Sequence, residues 1–237
     1  MNTVLFDLDG TLLPMDTDQF MHDYMKLLTN KFEVHMPPKE FQRKLWEGTR
    51  SMLENNGGTF SNEEVFYRTF FAGREHDRET FIDLFEEFYQ NEFDEVRRAT
   101  SQNHSMIEAV SLLKKKGYRL AVATNPLFPK QAVERRIHWA GLDPSTFDLV
   151  TSFEIMHACK PNTNFYQEVI DVLAIEPSEA IMVGNDAMED LAAGLLGIGT
   201  YLVTDCVLQE RTSPYLPDHT GSMEAFYEFA RQLPDIG

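Results

Sequence analysis

Positive charge is scarce in this sequence. Lysine and arginine number 21 against 38 aspartates and glutamates, for a net charge of −17 over 237 residues. That balance argues against a nucleic-acid binder, which needs clustered cations along a phosphate backbone. It also repels small anions, unless a site carries its own metal ion or a well-placed lysine. Cysteine is scarcer still: Cys159 and Cys206 are the only two, and they form neither a disulfide framework nor a CxxC metal motif. No apolar run approaches the ~18 residues that span a bilayer. The first residues, Met1-Asn2-Thr3, lead straight into a strand pattern without a basic leader. Repeats and low-complexity tracts are missing too. These absences set an expectation of a soluble, cytoplasmic protein with no membrane or nucleic-acid partner; the oligomeric state is left open by the sequence, a monomer being the default. What is present is an ordinary apolar share of 43%, enough to bury a sizeable core.

The apolar pattern changes twice along the chain. Val4, Leu5 and Phe6 form a short continuous run, which suits a strand at 3–8 buried on both faces of a parallel sheet. From about residue 15 to 100 the periodicity is helical. Helices are expected over 16–32, 37–58, 61–71 and 78–93, and most of the phenylalanines fall here as the core of a bundle. Ser61 to Glu64 reads as a capping box, and so does Ser105 to Glu108. Beyond residue 101, helix and strand alternate. Strands are expected at 119–124, in "FDLVTS", at 180–185 and in "TYLVT". Helices are expected near 129–140, in "NTNFYQEVIDVLA", in "MEDLAAGLLG" and at the C-terminal end, the last preceded by a proline-rich loop, "RTSPYLPDHTG". Such alternation implies an α/β fold with a doubly wound, mostly parallel sheet. One strand cannot form a sheet alone. The first strand must therefore pair with strands beyond residue 118. The expected organisation is a core of residues 1–14 and 101–237, interrupted by a helical domain of residues 15–100.

Ligands of open α/β sheets bind beyond the carboxyl ends of the strands. The residues expected there are Asp7, Asp9, Gly10 and Thr11, then Thr124 and Asn125, then Lys160, then Asn185, Asp186 and Asp190. Each alone has an ordinary explanation as a turn former, a helix cap or a surface lysine. Together they bring several carboxylates, a hydroxyl, an amide and one lysine to a single edge. Aspartates crowded in this way repel one another, and a shared divalent cation removes the conflict. Mg²⁺ is suited to a few carboxylates together with water and phosphate oxygens.

"DLDGT" at 7–11, Thr124 in "AVATN", Lys160 in "CKPN" and "GNDAMED" at 184–190 stand in the order of the four motifs of the haloacid dehalogenase-like superfamily of phosphohydrolases, which the whole chain resembles. The resemblance implies a Rossmann-like core with an inserted α-helical type 1 cap, similar to the phosphoglycolate phosphatase and β-phosphoglucomutase-like members. It implies hydrolysis of a small phosphorylated metabolite with Mg²⁺ as cofactor. Asp7 would be the nucleophile that forms an aspartyl-phosphate. Asp9 would protonate the leaving oxygen and then deprotonate water, and its backbone carbonyl would ligate Mg²⁺. Gly10, Thr124, Asn125 and Lys160 would hold the phosphoryl group. Asp7, Asp186 and Asp190 would complete the metal site. Many relatives read Gly-Asp where this chain reads Gly184-Asn185-Asp186, so Asn185 and Asp186 both stand as candidates for the first metal ligand of the last motif. Asp186 is preferred, because a carboxylate binds Mg²⁺ better than an amide.

The same core supports other chemistry. Dehalogenases of this family need no metal and lack the second aspartate of the first motif. A phosphomutase differs in how long the aspartyl-phosphate survives, a phosphonatase would need a Schiff-base lysine from the cap, and a phosphate-binding protein without activity could keep the fold. Substrate choice is expected to lie in the cap. There a break in the helix at "EGTRSM" would let Arg50 grip an anionic group, unless Arg50 is simply a surface residue at a helix end. Cys159 reads as a packing residue.

Overall fold

A computed structural model describes residues 1–207 and 213–237. The chain opens with β1 (Thr3–Phe6) and then leaves the sheet for α1 (Thr17–Phe32), α2 (Pro38–Leu53), α3 (Asn62–Phe70) and α4 (Arg78–Asn91). It returns through a 3₁₀ segment, Phe93–Ala99, to α5 (His104–Lys115), β2 (Arg119–Val122), α6 (Lys130–Trp139), β3 (Leu149–Val150) and α7 (Thr163–Leu173). β4 (Ala180–Gly184), β5 (Gly199–Val203), β6 (His219–Gly221) and α8 (Met223–Gln232) complete it.

The six strands lie in the order β3-β2-β1-β4-β5-β6, and every pair is parallel. The order reverses between β1 and β4, which is where α/β sheets open a crevice for a ligand. Side-chain alternation sets the two layers. Val4 and Phe6 join one apolar cluster with Leu120, Val122, Ile181, Val183 and Phe226. Leu5 faces the other way, with Ala121, Met182, Phe165 and Val169. Neighbouring residues of one strand point to opposite faces, so a sheet covered on both sides needs a continuous apolar run. That is why the core strands lack the polar alternation of a half-exposed sheet.

The inserted helices are held by aromatic packing. Phe32 stacks on Phe41 at 4.6 Å, and Phe85 meets Phe32 at 4.5 Å and Phe70 at 5.5 Å. α2 runs unbroken through "EGTRSM", where the sequence led us to expect a break. Gly48 serves helix approach instead: a Cβ there would lie 2.6 Å from the Phe66 ring of α3. The Ser61–Glu64 capping box is formed in both directions, at 3.2 and 2.9 Å. The second expected box is not. Asn103 caps α5 by accepting from the Met106 amide, so Ser105 lies inside the helix. The segments entering and leaving the inserted helices run side by side. Met15 and Thr100 form an antiparallel bridge, the Asp16 amide donates to the Ala99 carbonyl at 2.9 Å, and the Ser101 amide donates to the Pro14 carbonyl at 2.9 Å. This region also docks on α6 and the loop before it: Phe93 of the 3₁₀ segment stacks on Trp139 at 5.1 Å, and Tyr24 meets Phe128 of the loop at 5.4 Å.

Two further departures concern the last third. "MEDLAAGLLG" is not an α-helix but a 3₁₀ segment, Leu191–Leu196, ended by Gly197 at φ 86°. Asp190, just before it, is drawn into the interior by its partners below. The proline-rich stretch contains β6, which the sequence did not announce, while residues 211–212 of that stretch lie outside the described residues.

Candidate active site

β1, β2 and β4 end beside the switch point, and their following residues converge. Lys160, from the loop after β3, is buried at 2% exposure. Its Nζ donates to Asp7 Oδ1 at 2.9 Å and to Asp190 Oδ1 at 2.7 Å. Asp7 follows β1 and Asp190 ends the turn after β4, so one ammonium ties the two central strands together across the edge. A buried lysine survives only with such partners. Burial works against its charge, but Asp190 and Asp7 outweigh burial and hold its pKa well above the usual lysine range. Asp7 is left short. Burial above all pushes it up to about 8, against the pull of Lys160 and with help from Asp190 and Asp9.

The turn after β4 is built around Asp190. Its Oδ2 accepts from the Asp186 amide at 2.9 Å. Gly184 makes the space, since a Cβ there would lie 2.0 Å from that oxygen. Asp186 Oδ1 accepts the amides of Met188 and Glu189 at 2.7 and 3.0 Å, closing the turn. Asn185 is buried and occupied at both ends: Oδ1 accepts from the Thr11 hydroxyl at 3.0 Å, and Nδ2 donates to the Cys206 carbonyl at 2.9 Å. Gly10 stands against it at φ 83°, where a Cβ would lie 2.4 Å from Asn185 Nδ2. Asn185 thus clamps the loop after β1.

Asn125 follows β2. Its Oδ1 accepts from the Lys160 amide at 3.2 Å and its Nδ2 donates to Glu189 Oε2 at 3.0 Å. Burial raises Glu189 to about 7. Thr124 is buried at the same edge, and its carbonyl accepts from the Thr151 hydroxyl at 2.7 Å. Asp9 points elsewhere. Its Oδ2 is bonded by Nη1 of Arg136, a fully buried residue of α6, while Asp9 Oδ1 and Arg136 Nη2 are buried without a hydrogen-bond partner. The Arg136 guanidinium also lies over the Phe128 ring, 4.4 Å from its centre.

The structure therefore brings Asp7, Lys160 and Asp190 into direct contact, with Gly10, Asn125, Thr124 and Asp186 around them and Asp9 at the side. Arg50 does not join them. It lies on the last turn of α2 with its side chain 78% exposed, and it pairs with Glu54 at 2.9 Å. Cys159 is buried beside Lys160, its thiol pushed up to about 12 by burial, which leaves it inert as a nucleophile. Sequence reasoning missed Arg136. The available signal was its position among Val133, Ile137 and Ala140, which recur at helical spacing: a charge on the inward stripe of a helix implies a buried partner.

The donor set is all oxygen and carries more negative charge than Lys160 and Arg136 offset, which suits a hard cation in kind. Among the described residues no three acidic, histidine or cysteine side chains form a ready-made cage. Mg²⁺ does not demand one, because it keeps several waters and takes only one or two carboxylates.

No helix among the described residues is long and apolar enough to cross a membrane. The model of the haloacid dehalogenase-like hydrolase family matches residues 1–196. The pyrophosphatase PpaX of Bacillus cereus (strain G9842) is 28% identical over 194 residues, covering 82% of this chain and 78% of the relative. Among solved structures, a HAD phosphatase from Thermococcus onnurineus superposes with a TM-score of 0.61 at 20% identity, over the whole of both chains. The L-2-haloacid dehalogenase from Xanthobacter autotrophicus superposes with a TM-score of 0.59 at 15% identity, over 98% of this chain and 99% of that one. At such identities the superpositions speak for the fold alone. With the family's model matched across most of its length, this chain belongs to the haloacid dehalogenase-like hydrolases.

Proposed function

We propose that this hydrolase is a Mg²⁺-dependent phosphatase that acts on a small phosphate monoester through an aspartyl-phosphate on Asp7. The supporting observation is the second carboxylate. A halide leaves carbon without a proton, whereas an alkoxide leaving phosphorus needs one. Asp9 stands two residues beyond Asp7. Arg136 engages its Oδ2 and leaves Oδ1 as a buried acceptor with no partner. Such an atom is costly unless something else meets it, and with a proton on Oδ1 Asp9 would donate to the leaving oxygen of a bound ester.

In the first step an Asp7 oxygen attacks phosphorus, the bond to the leaving oxygen breaks, and Asp9 gives that oxygen its proton. In the second, Asp9 takes a proton from water as the water displaces Asp7 from phosphorus. Splitting one displacement into two is the gain from a covalent nucleophile. Lys160 offsets the charge of Asp7 and the phosphoryl group throughout. Thr124 and Asn125 would orient the phosphoryl oxygens, whereas the Gly10 amide is already given to the Leu13 carbonyl at 2.8 Å. Asp7, Asp186 and the Asp9 carbonyl would hold Mg²⁺, with Asp190 behind them. The cation would supply positive charge against phosphoryl oxygens and would also relieve the crowding that raises Asp7. The inserted helices would act as a cap, hinged where residues 14–16 and 99–101 run side by side, and would exclude bulk water on closing. The enzyme would work in the cytoplasm.

The test is p-nitrophenyl phosphate hydrolysis with and without a chelator. Turnover should stop on chelation and return with added Mg²⁺. A rate indifferent to chelation would turn the reading towards a dehalogenase. Chloride release from 2-chloropropionate is the assay for that alternative.

A further inference from the structure

A cavity of about 230 Å³ lies between the inserted helices and the loop that follows β2. An engineered apolar cavity of about 150 Å³ takes up benzene, so this one has room for a ring and a short chain. Its walls are mainly apolar. Tyr24, Phe66, Phe85 and Tyr89 come from the helices, and Leu127 and Phe128 from the loop. The two tyrosine hydroxyls satisfy each other at 2.7 Å, which leaves their rings to act as apolar surface.

The cavity starts where the phosphate edge stops. Along the loop after β2, Thr124 and Asn125 belong to the edge, and Leu127 begins the cavity wall two residues on. On the facing side, Asn62 donates to the carbonyls of Pro126 and Ala158 at 3.4 and 3.3 Å, the latter two residues before Lys160, and the next residue, Glu63, lines the cavity. Phe128, of the cavity wall, carries the Arg136 guanidinium 4.4 Å from its ring centre, and the same guanidinium bonds Asp9 Oδ2. The loop after β2 and Arg136 thus join the cavity wall to the phosphate edge.

The charges around the cavity restrict its occupant. No lysine or arginine lines it among the described residues, while Glu63, Glu86 and Glu154 do. Glu154 accepts from the Lys130 amide at 2.8 Å, so its carboxylate is held in place. A second phosphate or carboxylate would meet three acids and no cation. We infer that the site takes a phosphate monoester whose leaving group is an apolar, ring-sized alcohol carrying no second anionic group. This rests on the phosphatase reading and narrows its substrate. It sets this chain apart from what the name of the B. cereus relative suggests, since pyrophosphate is all charge.

The inference is tested by comparing kcat/KM for 2-phenylethyl phosphate, ethyl phosphate, phosphoglycolate and pyrophosphate with Mg²⁺ present. The two alkyl esters have similar leaving groups and differ in the ring. Burial of the ring should favour 2-phenylethyl phosphate over ethyl phosphate by about tenfold or more, and the two competitors with a second anionic group should fall below it by at least as much. Thr49 lines the cavity from α2, and its hydroxyl bonds only its own helix, at the Leu45 carbonyl. Thr49→Phe should fill the space and abolish the preference for the ring. A preference for pyrophosphate or phosphoglycolate, or an unaltered ring preference in the variant, overturns the inference. Should acetyl phosphate itself not be hydrolysed, the phosphatase reading fails separately. Calorimetric titration with 2-naphthol then decides the cavity: binding lost in Thr49→Phe upholds it as a site for an apolar ring, and no binding to the wild type overturns it.

Discussion

The inserted helices and the sheet edge beneath them bury their side chains under different rules. Among the helices, rings pack on rings, and buried polar groups are few: Lys44 is spent on the carbonyls of Phe70 and Ala72, at 3.0 and 2.9 Å, and Glu92 keeps one oxygen unpartnered while the other meets Lys31. At the edge, charges are buried against charges, and they are not fully matched. One ammonium serves both Asp7 and Asp190, and Asp9 Oδ1 and Arg136 Nη2 stay unpartnered. The contrast teaches that stability and reactivity are kept in different places. Apolar packing is non-directional and fills space. Incomplete charge pairing costs stability but leaves atoms ready to meet a substrate.

The comparison would break most visibly at Asp7. Asp7→Asn should lower phosphatase turnover by about 10⁴-fold or more, because it removes the nucleophile and little else. Its melting temperature should hold or rise, since the replaced carboxyl is one that burial pushes up to about 8. A melt clearly below the wild type would mean that the edge stabilises the fold after all. Phe85→Ala is the mirror case. Phe85 touches rings of α1, α2 and α3, and its loss should cost about 3–5 kcal/mol in a denaturant titration, with kcat changed far less than in Asp7→Asn.

Arg136→Met sharpens the boundary between the two regions, because Arg136 is an edge cation that rests on the Phe128 ring of the cavity wall. With the clamp on Asp9 removed, kcat should fall about 10- to 100-fold while KM changes little, as expected when a proton donor loses its position. Arg136→Lys should recover part of that loss, and a rise in KM alone would place Arg136 in substrate binding instead.

The smallest effect is expected at the base of the inserted helices. Asp23 of α1 accepts from Arg98 at 2.8 and 2.6 Å and from Gln19 at 2.8 Å, and the Arg98 hydrogen bonds hold its pKa at about 2. A carboxyl whose pKa is lower in the folded than in the unfolded chain stabilises the fold above the unfolded value of about 3.9. That contribution should fade as the pH drops from about 4 towards 2. Asp23→Asn should flatten this part of the acid-unfolding curve, measured by circular dichroism; an unchanged slope would show that the pair contributes nothing.

Much of this molecule was legible from local pattern. The apolar run at Val4 to Phe6, the ring stripe of α4 and the alternation beyond residue 101 announce their elements, because burial on both faces of a sheet or along one stripe of a helix dictates residue type directly. Asp7, Lys160 and Asp190 were named as candidates because a strand must end before a site can begin. "EGTRSM" and Arg50 misled, because a glycine inside a helix reads the same whether it breaks the helix or lets a neighbour approach. Only the Phe66 ring, from α3, makes the difference.

By itself, then, the sequence determined most of the elements and their order, since these depend on the spacing of nearby side chains, though not the 3₁₀ segment after Asp190 or β6. Tertiary structure alone decided which partners the residues at the working edge take. Lys160 bridges Asp7 and Asp190, Arg136 reaches Asp9 across 127 positions, and Asn185 closes on Thr11 across 174. Partners so far apart meet only when β1 lies between β2 and β4, and that neighbourhood depends on the packing of the whole sheet.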